Sequence, residues 1–224
     1  MNESDTDVKS GPDVPEDQTV NQSAHIEKFD PISEDDTESG DRLEYFPVSE
    51  GKLITLYIMS FGLYGVYWFY KNWKLQQPGM DKKIFPLMRA VFSIFFTHSL
   101  FNRIHRSAEH LEKKHKFNAN LLATFYVCAV IIGNLLDRVT VNMHLPGNLP
   151  HSTVIVISLV IFLLSVYPLA AVQATVNRIN NDILGYLNHN YSIWNYLLIA
   201  TGAIFWVMLA LGLLADSLGL TPAE

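Results

Sequence analysis

Five apolar runs separated by short polar stretches set the pattern of the chain: residues 53–70, 84–101, 121–136, 153–172 and 196–215. The first contains no charged side chain, and as a helix it extends about 27 Å, close to the hydrocarbon thickness of a bilayer. It predicts a membrane-spanning helix with Ser49 or Glu50 as its N-terminal cap. Its last turns bring Trp68, Tyr70 and Trp73 beside Lys71 and Lys74. Rings at headgroup level with ammonium groups in water are the pattern of an interface anchor. The run 121–136 is closed by Asp137 and Arg138. The run 153–172 is rich in Val, Ile and Leu and holds Pro168 near its end, where a kink is expected. Trp194 and Asp216 bracket the last run.

The run 84–101 is less simple, because it contains Arg89 and His98. A charge at mid-span costs several kcal/mol, although Arg89 sits about one turn in and is able to snorkel. Residues 102–117 then read as a basic amphipathic helix. Phe101, Ile104, Ala108 and Leu111 fall on one stripe, with Glu109–Lys113 and Glu112–Lys116 pairs on the polar side. Such a helix is expected along an anionic leaflet. The expected fold is all-α: a bundle of four spanning helices plus one re-entrant or interfacial segment over 84–101, five spans being the alternative.

Charge separates a leader from this membrane domain. Residues 1–52 hold 15 acidic and 4 basic residues, against 7 acidic and 12 basic in the remainder. Residues 1–44 show neither helical nor strand periodicity and are expected to be a disordered acidic tail, with 45–218 the multi-pass domain and 219–224 a short C-terminal tail. The first twenty residues do not have the pattern of a cleavable signal, so an internal helix is expected to start insertion. The single Cys128 allows no intrachain disulfide. If 84–101 dips and returns, ten basic residues fall inside and three outside with the N-terminus external. If all five runs cross, the division is eight to five. The positive-inside rule prefers the first threading.

Several phrases carry a resemblance. Phe46-Pro47-Val48-Ser49, Ser60-Phe61-Gly62-Leu63-Tyr64 and Tyr67-Trp68-Phe69-Tyr70-Lys71-Asn72-Trp73 resemble an uncharacterised family of bacterial multi-pass inner-membrane proteins, as do Arg89-Ala90, Pro168, Gln173, Asn177 and Asn180. The resemblance covers most of residues 45–215. It implies a bacterial inner-membrane location and no assigned activity.

The polar residues within the apolar half are the candidates for function. Gln173, Asn177 and Asn181 recur every four residues on a helix continuing past Pro168, with Asn180 beside them. They predict either a polar cavity lining or a lipid-headgroup contact or, more simply, a helix end bonding its neighbours, and Arg89 reads equally as a ligand for a lipid phosphate or substrate anion and as a snorkelling charge. His98, His105, His110 and His115 lack the spacing of a metal-binding helix, and no protease, nucleotide or hydrolase motif occurs. Asp137 and Asp216 stand at the ends of their runs, which gives no intramembrane carboxylate pair. The basic stretch 103–116 is flanked by membrane runs, which argues against nucleic acid. The sequence therefore reads as a membrane protein that is no enzyme and takes no cofactor or metal. A structural or accessory role is expected, with anionic lipid headgroups, a second copy or another membrane protein as partners. The alternative is a small transporter or channel with its pathway near Gln173, Asn177, Asn181 and Arg89.

Overall fold

The structure is a computed structural model that describes residues 43–110, 117–142 and 151–219. Residues 1–40 separate from 41–224 as a unit and, like the rest of the expected acidic tail up to 42, lie outside the described residues. So do residues 111–116 of the expected amphipathic helix and the tail 220–224. Regular structure among the described residues is helical throughout: α1 (Glu50–Met59), α2 (Leu63–Gln76), α3 (Pro86–Val91), α4 (Ser93–Ser107), α5 (Ala119–Asn142), α6 (His151–Ile179) and α7 (Ile193–Ser217).

The run 53–70 is not one helix, which corrects the first expectation. Ser49 caps α1, its Oγ accepting from the Lys52 N–H. The helix then stops at two left-handed residues, Phe61 (φ 50°) and Gly62 (φ 86°). The Gly62 N–H donates to the Tyr57 carbonyl at 2.9 Å and the Phe61 N–H to that of Ile58 at 3.2 Å, a Schellman closure. The Ser60 Oγ then accepts from the Tyr64 N–H at 2.8 Å and starts α2. A left-handed phenylalanine costs about 1–2 kcal/mol. It is offset by stacking of Phe61 on Trp206, with ring centroids 5.0 Å apart. The chain turns back here: the Gln76 Nε2 at the end of α2 donates to the Glu44 carbonyl ahead of α1, at 2.7 Å.

The run 84–101 is likewise broken, at Phe92 (φ −94°, ψ 38°), which ends α3 and begins α4. Ile84 lies at Gln77, whose Nε2 donates to its carbonyl at 3.3 Å. The far end of α4 comes back to the same place. Arg103 bonds Gln76, and the Ser107 Oγ is 2.9 Å from the Tyr45 hydroxyl. Helix α4 runs unbroken from Ser93 to Ser107, so the expected boundary at 101 between an apolar run and an amphipathic helix does not exist. Both hairpins, α1–α2 and α3–α4, thus open at one end of the bundle.

Among the described residues three helices are long and apolar enough to cross a membrane: α5, α6 and α7, over Ala119–Arg138, Ser152–Ile179 and Ile193–Ser217. These match the expected runs 121–136, 153–172 and 196–215, and α6 continues through Pro168. Helix α4 lies antiparallel to α5, with Asn102 bonded to Asn120 and His98 to Thr124. Helix α1 follows α6 through the Tyr57–Ser165 hydroxyl pair at 2.8 Å. The core forms around α2. Trp68, Phe69 and Trp73 have no exposed surface, and Phe69 packs on Phe101 and Tyr126. By contrast Leu135, Leu164, Ile204, Phe205 and Leu211 of the long helices are exposed by about half, a surface compatible with lipid.

Candidate functional site

Between Glu44 and α1 the chain has no regular structure and bends at Glu44 and Tyr45. Pro47 supplies no N–H and holds Phe46 out of the helical region, so this stretch has no regular partner for its backbone groups. Buried groups of this kind must be bonded by something else. Amide side chains carry an acceptor and two donors on one short arm and are suited to the task.

Six of them take part. The Gln76 Nε2 binds the Glu44 carbonyl. Asn180 meets Tyr45 on both sides, its Nδ2 donating to the carbonyl at 2.8 Å and its Oδ1 accepting from the N–H at 3.4 Å. The Asn72 Oδ1 accepts from the Phe46 N–H at 3.2 Å, while the Gln173 Nε2 donates to the Phe46 carbonyl at 3.2 Å. Asn188 and Asn177 donate to the carbonyls of Pro47 and Val48 at 3.0 and 3.1 Å. Gln173 is tied further, its Oε1 accepting from the Trp68 Nε1 at 2.6 Å and its Nε2 donating to the Asn177 Oδ1 at 2.6 Å. Helices α2 and α6 and the loop before α7 therefore form a clamp on residues 44–48.

The loop also buries an ammonium group. The Lys52 Nζ donates to the Asn188 Oδ1 and the Asn190 carbonyl, each at 2.6 Å. Loss of solvent pulls its pKa below the usual lysine value. At the other end of the clamp, burial pushes the Tyr45 hydroxyl up to about 12, against the lowering effect of its bond to Ser107. An unfolded tyrosine ionises near 10. The folded state thus keeps a proton that the unfolded state releases, and stability should fall as pH rises from about 10 to about 12. Unfolding of wild type and Tyr45→Phe across that window should show a steeper loss in the wild type, and equal slopes would contradict it.

The expected site residues are distributed as follows. Gln173, Asn177 and Asn180 are clamp residues; Gln173 and Asn177 are 0% and 1% exposed. Asn181 leaves their face because α6 ends at Ile179. With φ at 57° it is the left-handed residue of a closure in which the Asp182 N–H donates to the Asn177 carbonyl at 2.7 Å. Arg89 is not among the partners of Gln173, Asn177 and Asn180 and lies over the rings of Trp73 and Phe96. Of the expected interface anchors, Trp68 and Trp73 are core residues, since α2 is enclosed by its neighbours. Tyr70 and Lys71 are half-buried and Lys74 is exposed. The Lys71 Nζ stands 5.8 Å from the ring centroids of both Phe46 and Tyr67.

Sequence reasoning missed Asn72, Gln76 and Asn188. The four-residue spacing of Asn72 and Gln76 in an otherwise aromatic helix was the available signal. Among the described residues, no three His, Cys, Asp or Glu side chains gather as a metal-holding group. Comparison with protein-family models, curated proteins and solved structures finds no match, so no role is carried over from a relative.

Proposed function

We propose that this chain is an accessory membrane protein that crosses the bilayer three times, by α5, α6 and α7, and clamps residues 44–48, the stretch that follows its acidic leader, at the end where both hairpins open. The observation that carries the reading is the clamp. It joins Glu44 to Gln76 and Tyr45 to Ser107 and Asn180, so the entrances and exits of both hairpins share one end of the bundle. In this threading Arg138 is the one basic residue left on the opposite side, and the positive-inside rule makes the crowded side cytoplasmic. The N-terminus is then cytoplasmic, opposite to the threading preferred from sequence, because the run 53–70 returns instead of crossing.

The accessory role is favoured over transport by where the amides point. Gln173 and Asn177 bind the chain's own backbone, which leaves them unsuited to line a pathway. The leader, with 15 acidic residues up to position 52, is the element offered to a basic partner. Reconstituted protein should show no solute flux, and full-length protein should co-purify a partner that is lost on deleting residues 1–40. Flux that falls on Asn177→Ala would overturn the reading, as would a partner retained without the leader.

A further inference from the structure

Arg89 is held by rings and not by an acid. Its guanidinium carbon is 4.4 Å from the ring centroid of Trp73 and 5.1 Å from that of Phe96. Its backbone N–H donates to the Phe85 carbonyl at 3.1 Å, while among the described residues its guanidinium meets the faces of these two rings. A guanidinium carries its five N–H donors at its edge, and contact with rings leaves them for another acceptor. Burial and the like charge of Arg103 both press on Arg89 and lower its pKa. Arg103 is itself fixed, its Nε bonded to Gln76.

The surroundings specify the kind of anion. On one side of Arg89 in the chain stand the exposed ammonium groups of Lys82 and Lys83. Around it Phe85, Leu87, Met88, Phe92 and Phe95 are 47–77% exposed, a solvent-facing apolar skirt on a six-residue helix and the start of α4. Phosphate alone has no use for that skirt. A molecule with a phosphate at one end and hydrocarbon at the other matches both parts.

We propose that Arg89, backed by Arg103, binds the phosphate of an anionic phospholipid whose acyl chains cover Phe85, Leu87, Met88, Phe92 and Phe95. The inference rests on the membrane reading above. It assigns the α3–α4 hairpin a ligand, and Trp73 the task of a platform that keeps the guanidinium in place.

Native mass spectrometry of protein exchanged from mixed phosphatidylglycerol and phosphatidylcholine bilayers tests it. Wild type should retain phosphatidylglycerol preferentially, and Arg89→Gln should weaken retention about tenfold, the scale of one charge-assisted hydrogen bond. Phe95→Ser, at an exposed position, should weaken retention while leaving the fold intact. Equal retention of the two lipids by wild type, or unchanged retention by Arg89→Gln, would overturn the proposal. Displacement of phosphatidylglycerol by millimolar inorganic phosphate would also overturn it, assigning the site to a free anion. Protein released from the bilayer by alkaline carbonate would instead contradict the membrane reading itself.

Discussion

Replacing Gln173 with Ala should remove about 2–4 kcal/mol of stability, the cost of leaving several buried polar groups without partners. Three groups are orphaned at once: the Trp68 indole N–H, the Phe46 carbonyl and the Asn177 Oδ1. Gln173 and Trp68 have no exposed surface, so water cannot take the place of the lost amide without the core opening. Gln173→Met keeps the volume and isolates the hydrogen-bond component, and it should retain most of the loss. Trp68→Phe removes one orphan in advance, so the double variant should lose less than the sum of the single ones. Unfolding in mixed micelles reads these differences. A loss below about 0.5 kcal/mol for Gln173→Ala would mean that the amide is dispensable to the clamp.

Gly202→Ala is expected to be as damaging for a steric reason. A Cβ on Gly202 would stand 2.0 Å from the Met59 carbonyl oxygen and 2.8 Å from its carbon. Both are backbone atoms, so no rotamer change relieves the clash. Helix α7 would have to withdraw from the end of α1, where the Trp206 Nε1 donates to the Ile58 carbonyl at 3.2 Å and Phe61 stacks on Trp206. The hairpin tip would lose the contacts that hold its left-handed phenylalanine. A loss of about 3 kcal/mol is expected, the upper range for overpacking. Gly212→Ala in the same helix provides the contrast. Nothing lies within 4 Å of a Cβ there, and alanine favours helix, so this variant should be neutral or slightly stabilised. Equal unfolding midpoints for the two variants would contradict the close packing of α1 on α7.

The long helices were legible because α5, α6 and α7 are apolar over lengths that only a membrane or a large core accommodates. The hairpins were not. An uncharged run looks the same to a hydropathy count whether it crosses or turns halfway, and Ser60-Phe61-Gly62 gives only a glycine as a sign of the turn. Trp68 and Trp73 were misplaced for a related reason: aromatic rings beside lysines suit an interface and a core equally by composition. The four-residue spacing did identify Gln173 and Asn177 as neighbours, which the structure joins by a 2.6 Å hydrogen bond. Their main partners, the backbone groups of Phe46 and Val48, lie more than a hundred residues away and have no side-chain pattern to announce them.

Thiol labelling of intact and opened cells tests the returning α1–α2 hairpin most directly. In a Cys128→Ser background, Ser10→Cys and Lys82→Cys should react with an impermeant reagent on the same side, only after the membrane is opened, while Thr221→Cys reacts in intact cells. Labelling of positions 10 and 82 from opposite sides would mean that the run 53–70 crosses the bilayer, and would contradict the account.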